Sequence, residues 1–362
     1  MSEITATENK AAPAINMNEL LTFAINNKAS DIHMSSGMPP VLRINGQMKQ
    51  LNTPPLQAED MKNVLYGVMK DNTKKQFEEN YECDFAYEIP NLARFRVNMF
   101  TQDRGIAAVF RTIPTKVLTL EELGTPEIFK EIISVARGLV LVTGPTGSGK
   151  STTLAAMVDY INAHKSEHIL TIEDPIEFVH HSQKSLINQR EVGAHTHAFA
   201  NALKSALRED PDVILIGELR DLETMRLALT AAETGHVVFA TLHTSSAPKT
   251  IDRIIDAFPG AEKDMVRSML SESLRAVISQ TLVRTRDGKG RAAAHEIMIA
   301  NPAIRNLIRE NKIAQMYSVI QTGQSVGMCT LDMSLINLVK AGTISKDEAL
   351  TKAQNKAAFD AV

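Results

Sequence analysis

One stretch of the sequence, Gly138–Thr153, limits the possible folds more than any other. It reads GLVLVTGPTGSGKSTT, with an apolar run predicted as a strand before the glycines and helix-forming residues after them. This order of strand, glycine-rich loop and helix is the context in which a phosphate-binding loop is found. The G-x-x-x-x-G-K-[ST] pattern is completed by Gly144, Gly149, Lys150 and Ser151.

The residue types of this loop explain its chemistry. Glycines permit backbone angles that bulkier residues resist, so the loop amides can turn inward and surround phosphate oxygens. Lys150 can reach the β- and γ-phosphates, the Ser151 hydroxyl is placed to ligate Mg²⁺, and the following helix directs its positive end at the anion. We therefore predict ATP and Mg²⁺ as ligands rather than a plain glycine-rich turn. The predicted nucleotide-binding residues are Thr146, Gly147, Ser148, Gly149, Lys150, Ser151 and Thr152.

Composition narrows the class of protein further. The net charge of −3 provides no overall basic field for binding nucleic acid. The two cysteines, Cys83 and Cys329, form no C-x-x-C pair, which excludes a thiolate zinc site and is typical of a reducing compartment. No apolar run approaches the roughly 18 residues that span a bilayer, and no signal peptide is visible. We expect a cytoplasmic protein whose membrane contact is peripheral or made through a partner.

The chain of 362 residues is long enough for two domains. The predicted segments are a disordered tail over 1–16, an N-terminal domain over 17–114, a linker over 115–124 and a second domain over 125–362. In the first domain, Asn45-Gly46 is a strong signal for a two-residue hairpin. In the second, alternating strand and helix patterns predict an α/β fold with a largely parallel sheet, whose ligands lie at the carboxyl ends of the strands. After Pro259 the pattern is mostly helical, and Lys263–Gln280 is predicted as one long helix.

A hairpin near the end of the first domain has an unusual charge pattern. If Asp103-Arg104 is its two-residue turn, Arg96 lies directly opposite Arg111. Like charges that face each other in a sheet cost about 0.2–1 kcal/mol, and an unliganded fold gains nothing obvious from them. An anion such as a γ-phosphate would resolve the repulsion. A solvated arginine face is the alternative.

Carboxylates follow two predicted strands of the second domain. Glu173, Asp174 and Glu177 come directly after the strand His168–Ile172, where they suit Mg²⁺ binding and activation of water. An acidic solvated loop is the alternative. The apolar strand Asp212–Glu218 ends in a carboxylate, as a Walker B strand does. Glu218 stands where Asp is commoner, and its longer side chain would reach the metal through a water molecule.

Several histidines accompany these carboxylates. His243 lies at the carboxyl end of the next predicted strand, where a neutral imidazole could hydrogen-bond to the γ-phosphate. Four others, His180, His181, His195 and His197, suggest a metal site, although no cysteine or further ligand completes the pattern. Surface histidines near a subunit boundary are the simpler interpretation.

With these motifs assembled, the sequence resembles the type II/IV secretion ATPase superfamily over nearly all of the chain from Met17 onward. The matching segments are the ASD-h-H signature as Ala29–His33, the Asp box as Thr171–Glu177, the Walker B motif as Ile216–Asp221 and the His box as Thr241–Thr244. The resemblance implies a RecA-like ATPase domain with a helical C-terminal part, behind a smaller α+β domain of PAS-like type. It also implies Glu177 as general base, Glu218 as metal support, and Arg96 and Arg111 as phosphate contacts.

Within this superfamily, the stretch AIRNLIRE at Ala303–Glu310 is identical to a motif that marks the retraction ATPases of type IV pili. That resemblance implies a hexameric motor for pilin disassembly and twitching motility, acting on an inner-membrane platform protein and together with a retraction paralogue in some systems. Residue chemistry alone says that Ile304, Leu307 and Ile308 form a buried stripe. A solvated helix is the alternative for this motif.

Other functions stay open at this stage. An extension or secretion ATPase is disfavoured because such proteins carry a long additional N-terminal region and a tetra-cysteine zinc insertion, which this sequence lacks. A nucleic-acid translocase is disfavoured by the net charge. A nucleotide switch that does not hydrolyse ATP would retain the same loop.

Overall fold

The computed structural model describes residues 15–44, 46–90, 92–113 and 116–360. Contacts divide the chain between Thr115 and Lys116 into two compact units. Most of the predicted tail (residues 1–14) and Asn45 of the predicted hairpin turn lie outside the described residues. Asn16, near the end of that tail, accepts hydrogen bonds from the amides of Asn18 and Glu19 and so caps the first helix.

Among its described residues, the first unit has a six-stranded antiparallel sheet and three helices. The sheet order is β3-β2-β1-β6-β5-β4, and every neighbouring pair is antiparallel. The elements are α1 (Met17–Asn26), β1 (Ala29–Ser35), β2 (Val41–Ile44), β3 (Gln47–Gln50), α2 (Ala58–Gly67), α3 (Asp71–Asn80), β4 (Glu82–Ile89), β5 (Ala93–Gln102) and β6 (Gly105–Ile113).

Alternation along β5 divides this sheet into an apolar and a polar face. Phe95, Val97 and Met99 are fully buried in one cluster with Leu21 of α1 and Met61 of α2. The intervening side chains point to the opposite face, because successive residues of a strand alternate between faces. The arginines of the hairpin therefore lie on the face opposite the helices.

The second unit contains a seven-stranded sheet of order β13-β12-β7-β11-β10-β8-β9. All neighbouring pairs are parallel except β12 with β13. Its first elements are α4 (Ile128–Ile133), β7 (Gly138–Thr143), α5 (Lys150–His164), β8 (His168–Glu173), β9 (Leu186–Glu191), α6 (Phe199–Ala206), β10 (Val213–Ile216), α7 (Leu222–Glu233), β11 (Val237–Leu242) and α8 (Ala247–Asp256). The later elements are α9 (Lys263–Ser273), β12 (Leu274–Arg284), β13 (Arg291–Ile299), α10 (Pro302–Arg309), α11 (Met316–Thr322), α12 (Leu331–Lys340) and α13 (Lys346–Leu350).

Helices cover both faces of this sheet. Val140 and Val142 of β7 pack in one apolar cluster with Met157 of α5, whereas Leu139 and Leu141 belong to a second cluster on the other face with α7, α8 and α9. Burial on both faces explains why these strands are apolar throughout rather than alternating. The predicted α/β class, with a parallel sheet, a helical C-terminal part and a smaller α+β domain before it, is confirmed.

The prediction of one helix over Lys263–Gln280 is wrong. The helix α9 ends at Ser273, and Leu274 begins strand β12, which pairs with β7 on one side and β13 on the other. A strand buried on both faces is a continuous apolar run, and periodicity alone cannot separate such a run from a buried helix. The last predicted helix, Lys346–Asn355, is also shorter, since α13 ends at Leu350.

His295 of β13 is a buried histidine with a perturbed pKa. Its ring packs edge-on against Phe129, with 5.2 Å between ring centroids, and its Nε2 has no hydrogen-bond partner among the described residues. Burial lowers the pKa of His295 to about 4. Charging this ring in the folded state is therefore unfavourable.

We expect His295 to make the protein less stable in mild acid. The unfolded chain binds a proton near the ordinary pKa of 6.5 and the folded chain only near 4, so stability is lost as the pH falls through this window. Between pH 7 and pH 5 the loss should be about 2 kcal/mol from this residue. Urea unfolding of wild type and His295→Phe at both pH values measures it, and an equal pH dependence in the two proteins would contradict the assignment.

Candidate nucleotide site

The loop between β7 and α5 has a backbone that only glycine adopts easily. Gly144, Gly147 and Gly149 have φ angles of 143°, 78° and 87°, in the region that L side chains rarely occupy. Gly149 is also the N-cap of α5, and no side chain caps that helix. The start of α5 therefore presents backbone amides and the positive end of its dipole to the loop, which suits an anion.

Lys150 lies inside this loop. Its Nζ donates to the carbonyl oxygens of Gly144 at 2.9 Å and Pro145 at 3.1 Å. Burial lowers the pKa of Lys150, while the charges of Glu218 and Glu177 act to raise it. Two of the predicted catalytic carboxylates thus act electrostatically on the predicted phosphate-binding lysine.

Glu218 forms the centre of a charged group at the strand ends. Its Oε1 lies 3.1 Å from Nε2 of His243, at the end of β11, and its Oε2 accepts a hydrogen bond of 2.7 Å from Nε of Arg220. Arg220 also lies 3.5 Å from Asp174, after β8, and its hydrogen bond with Glu218 raises its pKa. The sequence analysis did not predict that Arg220 contacts Glu218 and Asp174. The sequence signal for the first contact is that Arg220 follows Glu218 by two residues.

The acidic segment after β8 does not act as one cluster of three carboxylates. Glu173 accepts hydrogen bonds from Oγ1 of Thr171 at 2.7 Å and Nε2 of Gln189 at 3.2 Å, and burial raises its pKa. These contacts hold the half-buried Glu173 against Thr171 and against Gln189 of β9. Glu177, in contrast, is exposed.

Strand β9, which the sequence analysis did not predict, anchors the segment that carries Glu177. Glu191 accepts a hydrogen bond of 3.1 Å from the amide of Ile176. Gln189 donates to the carbonyl of Phe178 at 2.8 Å and accepts from the amide of His180 at 2.8 Å. The backbone on both sides of Glu177 is therefore held by the edge strand of the sheet.

A cleft of about 430 Å³ borders the outer side of the loop. A volume in this range is usual for small-molecule sites. One wall is the loop and another is the end of β12, and charged side chains stand around the opening. The lining residues are Pro145, Thr146, Gly147, Ser148, Thr281, Leu282, Val283, Arg284, Arg291, Glu348, Thr351 and Lys352.

Three of the four clustered histidines have hydrogen bonds in the described ranges. His180 and His181 bond through their backbones to Gln189 and Asn162, and Nδ1 of His195 accepts from the amide of Glu191. In the described ranges, no group of three or more His, Cys, Asp or Glu side chains is arranged to hold a metal ion. Within the same ranges, every helix is too short or too polar to cross a bilayer.

Arg96 and Arg111 lie in the first unit, and the predicted register is confirmed because they face each other across β5 and β6. The expectation that an unliganded fold gains nothing from them is wrong. Nε of Arg111 lies 2.9 Å from Asp31 of β1, and Nε of Arg96 lies 3.7 Å from Asp84 of β4. Each guanidinium has a carboxylate on its outer side, which offsets the repulsion between the two.

These contacts lower the pKa of Asp31. Burial acts to raise its pKa, but hydrogen bonds from Arg111 and Ser30 and the charge of Arg111 outweigh it, so the pKa lies below its usual value. The side chains of Arg96 and Arg111 are still 44% and 68% exposed. Both guanidinium groups therefore have hydrogen-bonding capacity left for an anion.

A glycine loop between a buried parallel strand and a helix, with a lysine inside it and carboxylates on neighbouring strand ends, defines a P-loop nucleotide-binding protein. The sequence model of type II/IV secretion system proteins matches residues 7–350, and the chain belongs to this family. The resemblance to the secretion ATPase superfamily is thereby confirmed.

Particular relatives are similar over nearly their whole length. The chain is 64% identical over 340 residues to the type IV pilus retractation ATPase PilT of Pseudomonas aeruginosa, covering 94% of this chain and 98% of that protein. It is 41% identical over 337 residues to the type IV pilus ATPase PilU of the same species, covering 93% and 88%. A crystal structure of the pilus retraction motor PilT with bound ADP has a TM-score of 0.89 and 47% identity, over 96% of this chain and 100% of that one.

Gly144→Ala should destabilise the protein by more than the strain of a side chain at this φ angle would. A Cβ at this position would overlap the carbonyl oxygen of Gln280 and lie 2.6 Å from Oγ of Ser148. Gly235 has a similar φ of 123° and open space around it, so Gly235→Ala is the matched control. We expect Gly144→Ala to lower the free energy of unfolding by about 1–3 kcal/mol more than the control, as overpacking does. Urea unfolding of both variants measures this, and equal losses would show that φ strain alone requires the glycine.

Proposed function

We propose that this chain hydrolyses ATP to power the retraction of type IV pili, by removing pilin from the fibre base. It works with Mg²⁺, as a homohexamer, at the cytoplasmic face of the inner membrane through the pilus platform protein. The observation that carries the proposal is 64% identity to a protein named as the type IV pilus retractation ATPase, over 94% of the chain.

The phosphate loop supports the binding half of this proposal. Residues Thr146–Thr152 supply amides and the dipole of α5 for the phosphates, and Lys150 supplies a positive charge at the loop. Ser151 follows Lys150 in the first turn of α5, so its hydroxyl can take one position on Mg²⁺. Glu218, oriented by Arg220 and His243, would support the metal through a water molecule. When bound, Mg²⁺ neutralises charge on the phosphates.

Glu177 is the proposed general base. Its side chain is exposed, and the amide of the preceding residue, Ile176, donates a hydrogen bond to Glu191. The charge of Glu177 acts to raise the pKa of Lys150 in the phosphate loop. A carboxylate in such a place can take the proton of an attacking water molecule. We prefer Glu177 to Glu173 because the Glu173 carboxylate already accepts hydrogen bonds from Thr171 and Gln189.

The arginine pair supports the hydrolysis step of the proposal. In the proposal Arg96 and Arg111 contact the γ-phosphate of a bound nucleotide, and this contact is lost on hydrolysis. Guanidinium groups form strong paired hydrogen bonds with phosphate oxygens, so loss of this contact would be a substantial change in binding free energy.

Sequence identity favours retraction over the role of the accessory paralogue. Identity to the PilU protein is 41%, against 64% to the PilT protein over similar lengths. The helix α10, which carries AIRNLIRE, buries Ile304, Leu307 and Ile308, as predicted.

Gene deletion, with restoration by wild type or Glu177→Gln, tests the proposal. In cells that carry this gene, deletion should leave abundant surface pili and no twitching, since fibres form but are not withdrawn. Purified Glu177→Gln should still bind ATP but hydrolyse it at least about 10²-fold more slowly, in line with loss of a general base. That variant should also fail to restore twitching.

The outcomes separate the alternatives. Cells without pili after deletion would indicate an extension or secretion motor. Near-normal hydrolysis by Glu177→Gln would remove Glu177 from the base role without affecting the deletion result. Glu127→Gln, at an exposed position outside the site, is the matched control and should hydrolyse ATP as wild type does.

Arg96→Ala and Arg111→Ala should each lower ATP turnover by about tenfold or more, the effect of losing a hydrogen bond to a charged group. Arg104→Ala is the control, because Arg104 lies exposed in the turn of the same hairpin. Steady-state phosphate release by the three variants measures this. If Arg96→Ala and Arg111→Ala release phosphate as fast as Arg104→Ala does, the hairpin is a solvated arginine face.

A further inference from the structure

Gln280 is a buried glutamine of β12 that meets the phosphate loop. It is 3% exposed, and it continues the face of β12 on which Ala276 and Ile278 pack in the α5-side apolar cluster. A primary amide placed there is unfavourable unless its hydrogen bonds are made. Its presence therefore has to be explained by its partners.

Both ends of the Gln280 amide are used. Nε2 donates to the carbonyl oxygen of Ser148 at 2.7 Å, and Oε1 accepts from Oγ1 of Thr153 at 2.8 Å. Ser148 lies in the loop and Thr153 in the first turn of α5. A backbone carbonyl can only accept, so the nitrogen must face Ser148, and the orientation of the amide is determined by chemistry.

Two glycines of the motif lie directly against the same residue. A Cβ on Gly144 would overlap the carbonyl oxygen of Gln280, and a Cβ on Gly149 would lie 2.8 Å from its Nε2. Leu282 of the same strand also lies 3.7 Å from that position on Gly149. The loop is thus in close contact with β12 at its first and last glycine.

The bond to Ser148 determines which way one loop amide points. In a trans peptide the C=O of one residue and the N–H of the next point in opposite directions. Because the Ser148 carbonyl points to Gln280, the N–H of Gly149 points away from β12. This is one of the amides that the loop would offer to a phosphate.

We propose that Gln280 is a positioning residue for ATP binding, which sets the Ser148–Gly149 peptide by bonding the loop and α5 with one side-chain amide. The proposal rests on the proposed function, in that the loop binds ATP. Gln280 touches no phosphate itself. Its effect is on the nucleotide affinity rather than on the chemical step.

Substitutions at both ends of the amide test this proposal. Gln280→Glu keeps the size and the bond from Thr153 but places an acceptor against the Ser148 carbonyl. Gln280→Leu removes both bonds, Thr153→Val removes one, and Thr153→Ser retains the hydroxyl. Ser279→Ala is the control, because Ser279 is the neighbouring buried residue and points to the other face of β12.

The measurement is titration of each variant with a fluorescent ATP analogue and Mg²⁺, together with kcat and KM for ATP and the thermal midpoint without nucleotide. Gln280→Glu and Gln280→Leu should raise Kd and KM by roughly tenfold or more, with a smaller change in kcat, as expected for an unsatisfied buried carbonyl. Thr153→Val should raise Kd less, and Thr153→Ser and Ser279→Ala should bind as wild type.

The opposing results are distinct. A lower thermal midpoint with unchanged Kd in the Gln280 variants would make Gln280 a structural residue only and overturn the proposal. If those variants do not fold, a wild-type Kd in Thr153→Val would overturn it instead. Failure of the wild-type protein to bind the analogue would contradict the proposed function itself.

Discussion

The parallel pairing of β12 with β7 is the constraint on which the second unit depends. It brings the β12 backbone so close to the phosphate loop that Gly144 has no room for a side chain. At the other end of β7, a Cβ on Gly138 would lie 2.5 Å from the carbonyl oxygen of Ser273. Both ends of the strand that enters the loop are therefore fixed by β12 and the residue before it, and bulk at either end would push the strands apart.

The same sheet brings the charged groups together. Parallel strands end at one edge, so the residues after β8, β10 and β11 meet there although they are far apart in the chain. Glu218 is held on one side by His243 and on the other by Arg220, which itself reaches Asp174. A carboxylate held by two partners has a defined direction.

The first unit uses a different device, a row of charged residues across four neighbouring strands. Arg96, Arg111, Asp31 and Arg43 face one another in order from β5 to β2. Asp31 lies between two arginines and is buried, which makes it the fixed centre of the row. The exposed guanidinium of Arg111 is oriented by that carboxylate. Attraction to Asp31 opposes the repulsion between Arg96 and Arg111, and both of these side chains stay partly exposed.

Local patterns in the sequence determined the phosphate loop, the α/β class, the facing arginines and the buried stripe of α10, because each depends on spacing within a few residues or across one tight turn. The tertiary structure alone decided the roles of Glu173, Gln189 and Gln280. Glu173 occurs in the acidic segment with Glu177, yet its carboxylate bonds to Thr171 and to Gln189 of β9, whereas the Glu177 side chain is exposed. Gln280 lies 127 residues after Thr153, and its strand has the periodicity of a helix to sequence analysis because burial on both faces removes the alternation. The order of strands in the sheet determines which polar side chains become buried and hydrogen-bonded. Local sequence patterns do not predict that order.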